Sequence, residues 1–161
     1  MSINFFHLLL LIIIANGAPI VVRQLLNNGF KRAVDFGQTL PDKMQIFGDS
    51  KTWRGVFSAM LLTSLAAYIL GYSPETGLLI AVFSVLGDLA SSFIKRRLLL
   101  PPSSMAPLLD QVPESFLPAF MLMETFDLDI YAVITLVLAF IILELGLSAV
   151  LYKLGTRKRP Y

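Results

Sequence analysis

The sequence contains no cysteine and only one histidine, His7, among its 161 residues. Without thiolates, and with a single imidazole, the composition argues against a zinc site, an iron–sulfur cluster, a thiol nucleophile and a Ser-His-Asp triad. Any bound metal would therefore need oxygen ligands. Mg²⁺ or a similar hard cation is the candidate.

Charged residues are also scarce. They make up 15% of the chain, against roughly 25% in an ordinary soluble domain. Hydrophobic residues make up 56%, and the mean hydropathy is +0.73. This composition excludes a disordered chain, a disulfide-stapled secreted domain and a soluble domain with an ordinary surface. The net charge of +2 is too small to indicate a nucleic-acid partner.

Apolar runs of about the length that a bilayer requires dominate the sequence. The fourth run is the weakest, because acidic residues and two prolines interrupt it. We predict an all-α, polytopic integral membrane protein with five transmembrane helices that form a single membrane domain over residues 1–161. The spans are expected at about residues 5–22, 55–72, 76–94, 107–126 and 130–152.

The basic residues are sorted along the chain. All 13 lysines and arginines lie in the segment before the second span, in the segment after the third, or behind the fifth. The positive-inside rule then places the N-terminus outside and the C-terminus in the cytoplasm. This predicts a multi-pass protein of the cell membrane whose functional site faces the cytoplasm. The expected cytoplasmic segments are the loops 23–54 and 95–106 and the tail 153–161.

Two aspartates are predicted near the cytoplasmic ends of neighbouring spans. Asp88 lies inside the third span, where a carboxylate costs several kcal/mol unless it is paired, metal-bound or hydrated. It shares a helical face with Ser92 and Lys95, which follow at i+4 and i+7. Asp110 begins the fourth span at a similar depth. Either Mg²⁺ lies between the two carboxylates, or each aspartate pairs with a nearby lysine or arginine.

A second polar cluster, residues 48–55, directly precedes the second span. Gly48 permits a turn, Lys51 offers a point charge, and Arg54 offers a planar fork that suits phosphate. The competing interpretation is an interfacial anchor, with Trp53 at the lipid headgroups and the two cations on anionic lipid. The basic run 95–97 has the same two interpretations: phosphate binding or ordinary flanking charge.

These blocks resemble one family when they are taken together. Gly-Asp-Leu-x-x-Ser-Phe-Ile-Lys-Arg-Arg at 87–97, Pro-Leu-Leu-Asp-Gln at 107–111 and Gly-x-x-Lys-Thr-Trp-Arg-Gly at 48–55 are similar to the archaeal CDP-archaeol synthases. Those proteins are five-span relatives of phosphatidate cytidylyltransferase. Asp35-x-Gly37 and Asp42 also resemble the family. One departure is Pro113-Glu114, which replaces the usual aromatic or acidic pair and which the sequence does not explain.

The resemblance implies an enzyme that joins CTP to 2,3-di-O-geranylgeranylglycerol 1-phosphate, giving CDP-archaeol and pyrophosphate, with Mg²⁺ as cofactor. Its partners would be CTP, a prenylated glycerol phosphate and the bilayer. Asp88 and Asp110 would be the metal ligands, and with Lys95 they would form the catalytic set. The residues implied to bind CTP or phosphate are Gly48, Lys51, Thr52, Trp53, Arg54, Ser92, Arg96 and Arg97.

Other functions stay open at this point. The nearest alternative is the same chemistry on a diacyl lipid, as in phosphatidate cytidylyltransferase. A small membrane transporter is a second possibility, supported by the intramembrane carboxylates Asp88 and Glu144. A non-enzymatic membrane scaffold is the third, but it would leave the paired aspartates and basic loops unexplained.

Overall fold

A computed structural model describes residues 2–26, 29–101, 104, 106 and 108–153, with side chains as far as residue 148. Within these residues the chain forms five helices and no β-strand. Two isolated antiparallel bridges, Ala33–Thr52 and Thr39–Gln45, lie in the loop between the first two helices. The helices are α1 (Ile3–Leu25), α2 (Trp53–Ile69), α3 (Pro74–Arg97), α4 (Gln111–Met121) and α5 (Ile130–Lys153). The all-α prediction is confirmed for the described residues.

Three of these helices are long and apolar enough to cross a bilayer: α1, α3 and the part of α5 from Ile130 to Ser148. The apolar helix α2 has 17 residues and a length of about 25 Å. The protein is therefore a multi-pass integral membrane protein. Helix α1 continues through Pro19 without a break. The predicted tail from residue 154 onward lies outside the described residues.

Helix α4 is shorter than the span predicted at 107–126. It has 11 residues, or about 17 Å, whereas the hydrocarbon core of a bilayer is about 30 Å thick. The chain turns after Leu122 and reaches a positive φ of 52° at Asp127. This turn is sheltered, because Leu122 and Phe126 are buried in the core. Irregular backbone is tolerated at membrane depth when other protein segments cover it.

The helices pack in chain order, α1 on α2, α2 on α3, α3 on α4 and α4 on α5. Large core side chains lie in the first half of α1, in the turn after α4 and in the first half of α5: Phe5, Leu8, Ile12, Phe126 and Phe140. The opposite end of the bundle is polar. There the loop between α1 and α2 meets the end of α3 and the start of α4, and this end holds the ion pairs Lys51–Asp88, Lys95–Asp110 and Arg97–Asp42.

Two glycines let the helices approach closely at this packing. A Cβ added at Gly77 would lie 2.6 Å from the backbone of Ser64 on α2. A Cβ added at Gly87 would lie 2.6 Å from the backbone nitrogen of Glu114 on α4. Because real Cβ atoms do not come so near to backbone, both positions require glycine. The contact at Gly87 also brings the neighbouring Asp88 close to Glu114.

Candidate active site

Asp35 organises the loop that precedes α2. It is only 5% exposed, and its carboxylate accepts hydrogen bonds from the backbone N–H groups of Phe47 (2.9 Å), Gly48 (3.0 Å) and Gly37 (3.0 Å). Burial alone would raise the pKa of Asp35, but these donors outweigh it and hold the pKa below its ordinary value. The turn at Gly48, which has a φ of 95°, is thereby fixed.

Backbone bonds then fix the start of α2. The N–H of Val34 donates to the carbonyl of Lys51 (2.8 Å), and the N–H of Trp53 donates to the carbonyl of Arg32 (3.0 Å). Thr52 is the N-cap of α2, because its hydroxyl accepts a hydrogen bond from the N–H of Gly55 at 3.2 Å. The side chain of this predicted phosphate-binding residue is therefore engaged in capping the helix.

Lys51 forms an ion pair with Asp88 on α3. Its ammonium nitrogen lies 2.5 Å from Oδ1 and 2.6 Å from Oδ2 of the carboxylate. Burial would lower the pKa of Lys51, but the carboxylate of Asp88 outweighs it and the pKa lies above its ordinary value. Lys51 is therefore protonated at neutral pH.

Lys95 forms the corresponding pair with Asp110, at 2.6 Å. It also donates to the carbonyl of Ser104 at 3.1 Å. The second carboxylate oxygen of Asp110 accepts from the N–H of Ala106 at 3.0 Å. Both predicted metal ligands are thus paired with lysines in this structure, which is the ion-paired alternative that the spacing left open. The Mg²⁺ site remains a prediction.

Arg96 is buried beside these pairs, with 2% of its surface exposed. One guanidinium nitrogen donates to the carbonyl of Pro101 at 3.0 Å. Its Nε and Nη1 have no hydrogen-bond partner among the described residues, and the same holds for the buried hydroxyl of Ser92. A Cβ placed at Gly48 would lie 3.9 Å from the Nε of Arg96, so the Gly48 turn lies against the guanidinium. Buried donors without partners are costly unless a ligand satisfies them.

Arg97 attaches the loop to the end of α3. It pairs with Asp42 at 2.6 Å and donates to the carbonyl of Gln45 at 2.7 Å. This pair is more open to solvent, since the side chain of Asp42 is 41% exposed. Because an exposed pair contributes little, the hydrogen bond to Gln45 is the contact by which Arg97 holds the loop over the site.

Trp53 and Arg54 are oriented differently from the other predicted residues. Together they line an open groove at the surface of α1 and α2. The ring centroids of Phe36 and Phe57 lie 6.3 Å and 5.9 Å from that of Trp53. Arg54 donates to the carbonyl of Gly29 at 2.5 Å. The predicted cluster at 48–55 is therefore divided between the ion-paired centre, which holds Lys51, and this groove.

The site includes a carboxylate to which the sequence analysis gave no role. Glu114 is 6% exposed, and it lies within electrostatic range of Asp88, Glu144, Lys51 and Asp110. Its position at i+4 from Asp110, on the same helical face, is the signal that points to it. The spacing did not show that α3 approaches α4 closely enough to bring Asp88 into the same cluster.

The carboxylates of the site suit Mg²⁺ only if ligands from outside the protein complete the coordination of the ion. Among the described residues, no three His, Cys, Asp or Glu side chains form a group that could hold a metal ion. Mg²⁺ is commonly bound through one or two carboxylates, with waters and substrate phosphates as its other ligands. Asp88 and Asp110 fit that requirement.

The fold and this arrangement define a class: a multi-pass helical membrane protein with a buried site of paired cations and carboxylates at one end of the bundle. Comparison with known proteins makes the class specific. A family described as "CarS-like: CDP-archaeol synthase" matches residues 73–161. The chain belongs to the CDP-archaeol synthase family, and the resemblance found in the sequence is confirmed.

Individual relatives agree with this assignment. The CDP-archaeol synthase of Pyrococcus furiosus is 40% identical over 107 residues, which is 60% of each chain. That of Thermofilum pendens is 35% identical, over 62% of this chain and 51% of the relative. The chain thus spans less than two thirds of these two proteins. The synthase of Pyrobaculum aerophilum is 30% identical over 158 residues, 92% of each chain.

A solved structure has the same fold. It is described as an intramembrane enzyme for archaeal membrane lipids biosynthesis. It superposes with a TM-score of 0.71 and 31% sequence identity, over 87% of this chain and 89% of that one. The likeness supports the assignment of the chain as a membrane-embedded protein.

Proposed function

We propose that the chain is a CTP-dependent cytidylyltransferase that converts 2,3-bis-O-(geranylgeranyl)-sn-glycerol 1-phosphate and CTP to CDP-archaeol and pyrophosphate. The names of its relatives support this activity. The observation that carries the proposal is Arg96. Its buried guanidinium has two nitrogens without a partner among the described residues, and it adjoins the Gly48 turn. A phosphate group would satisfy both nitrogens.

The reaction is a displacement at phosphorus. An oxygen of the lipid phosphate attacks the α-phosphorus of CTP, and the bond to the bridging oxygen of the β-phosphate breaks, so that pyrophosphate leaves. A phosphate monoester is largely dianionic near pH 7, because its second pKa is about 6. No general base is needed. This suits a chain with one histidine, His7. His7 lies at the end of α1 away from the site, where its Nδ1 is hydrogen-bonded to the hydroxyl of Tyr72 at 3.0 Å.

The protein's part is to align the substrates and to neutralise crowded negative charge. Lys51, Lys95 and Arg96 are the cations available for phosphate oxygens, and Ser92 offers a buried hydroxyl. Arg97 holds the loop in place. Mg²⁺ held by Asp88 and Asp110 would supply charge neutralisation on the triphosphate and on the leaving pyrophosphate. Because Lys51 and Lys95 are paired with these aspartates, each lysine would exchange a carboxylate partner for phosphate when CTP binds.

We further propose five membrane crossings, with the N-terminus outside, the C-terminus cytoplasmic and the site facing the cytoplasm. Two contacts support a crossing at α4 despite its short helix. At one end Asp110 pairs with Lys95 near the end of α3. At the other end Phe126 packs against Tyr72, just before α3, with ring centroids 4.8 Å apart and the ring planes inclined by 36°. The chain from 110 to 126 therefore runs the length of α3, and the sorting of basic residues supports the orientation.

The test is incorporation of labelled cytidine from CTP into lipid by the purified protein. We expect incorporation with the geranylgeranyl ether phosphate and Mg²⁺, and none with Mg²⁺ removed or in Asp88→Asn. Competition between this lipid and a diacyl glycerol phosphate in one assay measures the lipid preference. Absence of cytidine transfer to either lipid would overturn the proposal.

A further inference from the structure

An open groove of about 610 Å³ lies on the outer side of α1, α2 and the loop between them. Its volume is in the range of small-molecule sites. Phe36, Phe57 and Leu61 line it and are 56%, 63% and 70% exposed. In a membrane protein such a surface faces lipid chains. The exposed apolar side chains continue along the same face of α2 at Leu65 and Tyr68, at i+4 and i+7 from Leu61, which is the spacing of a helical stripe.

The loop end of this groove is cationic. Both Arg32 and Arg54 line it. The guanidinium of Arg32 lies 4.7 Å from the ring centre of Phe36, above its face, and Arg54 is positioned by its bond to the carbonyl of Gly29. The groove therefore combines two guanidinium groups at one end with an apolar lane along α2. This arrangement is complementary to an anionic lipid, which has a negatively charged headgroup at one end and apolar chains at the other.

The groove adjoins the ion-paired centre. The bonds between Val34 and Lys51 and between Trp53 and Arg32 belong to one short antiparallel bridge. Lys51, on this bridge, contacts Asp88, whereas Trp53, two residues further along, lines the groove. A headgroup bound by the two arginines would thus lie at the edge of the site where CTP is proposed to react.

We propose that this groove is the docking site of the lipid substrate, with its phosphate monoester at Arg32 and Arg54 and its isoprenoid chains along the exposed face of α2. The inference rests on the proposed function for the identity of the lipid. Two guanidinium groups match a dianionic monoester better than a singly charged phosphodiester. The groove would thereby distinguish the substrate from ordinary membrane phospholipids. Trp53 contacts the lipid in this arrangement.

The chain provides its own probe, because Trp53 is its one tryptophan. The full chain in detergent, without CTP, is titrated with the geranylgeranyl ether phosphate carrying brominated chains, which quench indole fluorescence on contact. Parallel titrations use the brominated ether lipid without phosphate and its phosphodiester. Unbrominated ether phosphate and inorganic phosphate serve as competitors. We expect half-maximal quenching by the monoester at a concentration about tenfold lower than by either comparison lipid.

Arg32→Ala should remove this preference, and Arg32→Lys should keep part of it, since the point charge remains. Equal quenching by all three lipids, or an unchanged preference in Arg32→Ala, would show contact with bulk lipid only and overturn the proposal. If inorganic phosphate competed as strongly as the lipid phosphate, the chains would contribute nothing to binding, and the proposed role of the apolar lane would be wrong. The outcome is separate from turnover: selective quenching without cytidine transfer removes the proposed function but retains the docking site.

A matched pair of leucine variants tests the apolar lane. Leu61 lines the groove, whereas Leu138 on α5 is 56% exposed but does not line it. At saturating CTP we expect Leu61→Ala to raise the KM for the lipid phosphate about fivefold, and Leu138→Ala to leave it unchanged. The KM for CTP should stay the same in both variants. Equal effects of the two substitutions would contradict a defined lane.

Discussion

The ammonium nitrogen of Lys51 lies within hydrogen-bonding distance of both carboxylate oxygens of Asp88, at 2.5 and 2.6 Å. Lys51 immediately precedes the N-cap of α2, whereas Asp88 is in the second half of α3. The side chains are 23% and 31% exposed, respectively. In such a partly desolvated pair, removal of one partner leaves the other charge uncompensated. The pair therefore joins the loop to the helix and balances the charge of the site.

We predict that Lys51→Met lowers kcat/KM for CTP by at least about a hundredfold, because a cation proposed to bind phosphate is lost. Lys51→Arg should retain more activity than Lys51→Met. The effects of Lys51→Met and Asp88→Asn should not add, because the two groups contact each other. A double-mutant cycle on kcat/KM measures this coupling. Strictly additive losses would contradict a shared role.

Asp110→Asn tests the second aspartate. We expect a loss of at least about a thousandfold in turnover, because a proposed metal ligand and the partner of Lys95 are lost together. Asp127→Asn is the matched control: Asp127 is exposed in the turn after α4, at a positive φ that asparagine tolerates. Cytidine transfer should be normal in the control. Comparable losses in both variants would argue against a specific role for Asp110.

Glu114→Gln should weaken the response to Mg²⁺ without abolishing turnover. The buried carboxyl group lies within electrostatic range of Asp88 and Asp110. A cation bound between them would favour the ionised form of Glu114, and that negative charge would in turn stabilise the cation. We expect the Mg²⁺ concentration for half-maximal activity to rise several-fold. An Mg²⁺ activation curve on the purified variant provides the measurement. An unchanged curve would show that Glu114 has no influence on cation binding.

Much of the fold follows from the apolar runs alone. Helices α1, α2, α3 and α5 begin and end close to the predicted spans, because burial in lipid requires long apolar stretches. Helix α4 does not, since its polar and proline residues are sheltered by neighbouring helices that the local sequence does not reveal. The spacing also placed Asp88 and Asp110 at similar depth. Which lysine each one contacts depends on loop packing between distant segments, and spacing cannot show it.

The same limit explains Glu114 and Trp53. Glu114 joins the site because Gly87 lets α4 approach α3, and this tertiary contact has no local signature. Trp53 follows Lys51 by two residues, yet α2 begins at Trp53 and the two side chains lie in different surroundings. A motif read as one binding cluster can thus be divided where a loop becomes a helix.

Asp35→Asn should loosen the loop over the site. Its carboxylate stabilises the fold through charge-assisted hydrogen bonds worth roughly 1.5–3 kcal/mol each. Because the folded-state pKa of Asp35 is lowered, this stabilisation is present above the unfolded pKa of about 3.9 and is lost as the pH falls through the folded-state value. At pH 7 we expect amide hydrogen exchange at Phe47 and Gly48 to be at least about tenfold faster in Asp35→Asn.

Asp42→Asn is the control for this measurement, because the pair of Asp42 with Arg97 is more exposed and should contribute little. Its exchange at Phe47 and Gly48 should stay near that of the unmodified chain. The difference between Asp35→Asn and the unmodified chain should disappear when the pH falls below the folded-state pKa. A difference that persists there would show that the charge of Asp35 is not the cause.

The approach of α3 to α4 can be tested with two glycines that differ in their surroundings. A Cβ at Gly87 would lie 2.6 Å from the backbone nitrogen of Glu114, whereas a Cβ at Gly146 on α5 would meet no described atom within 4 Å. Gly87→Ala must push α4 away from α3, so we expect a loss of about 1–3 kcal/mol in stability and loss of turnover. Gly146→Ala should be neutral or stabilising by up to about 1 kcal/mol, because alanine favours the helix. Thermal unfolding in detergent, followed by circular dichroism, measures both. Equal unfolding temperatures for the two variants would show that α3 and α4 do not need the close contact that brings Asp88 near Glu114.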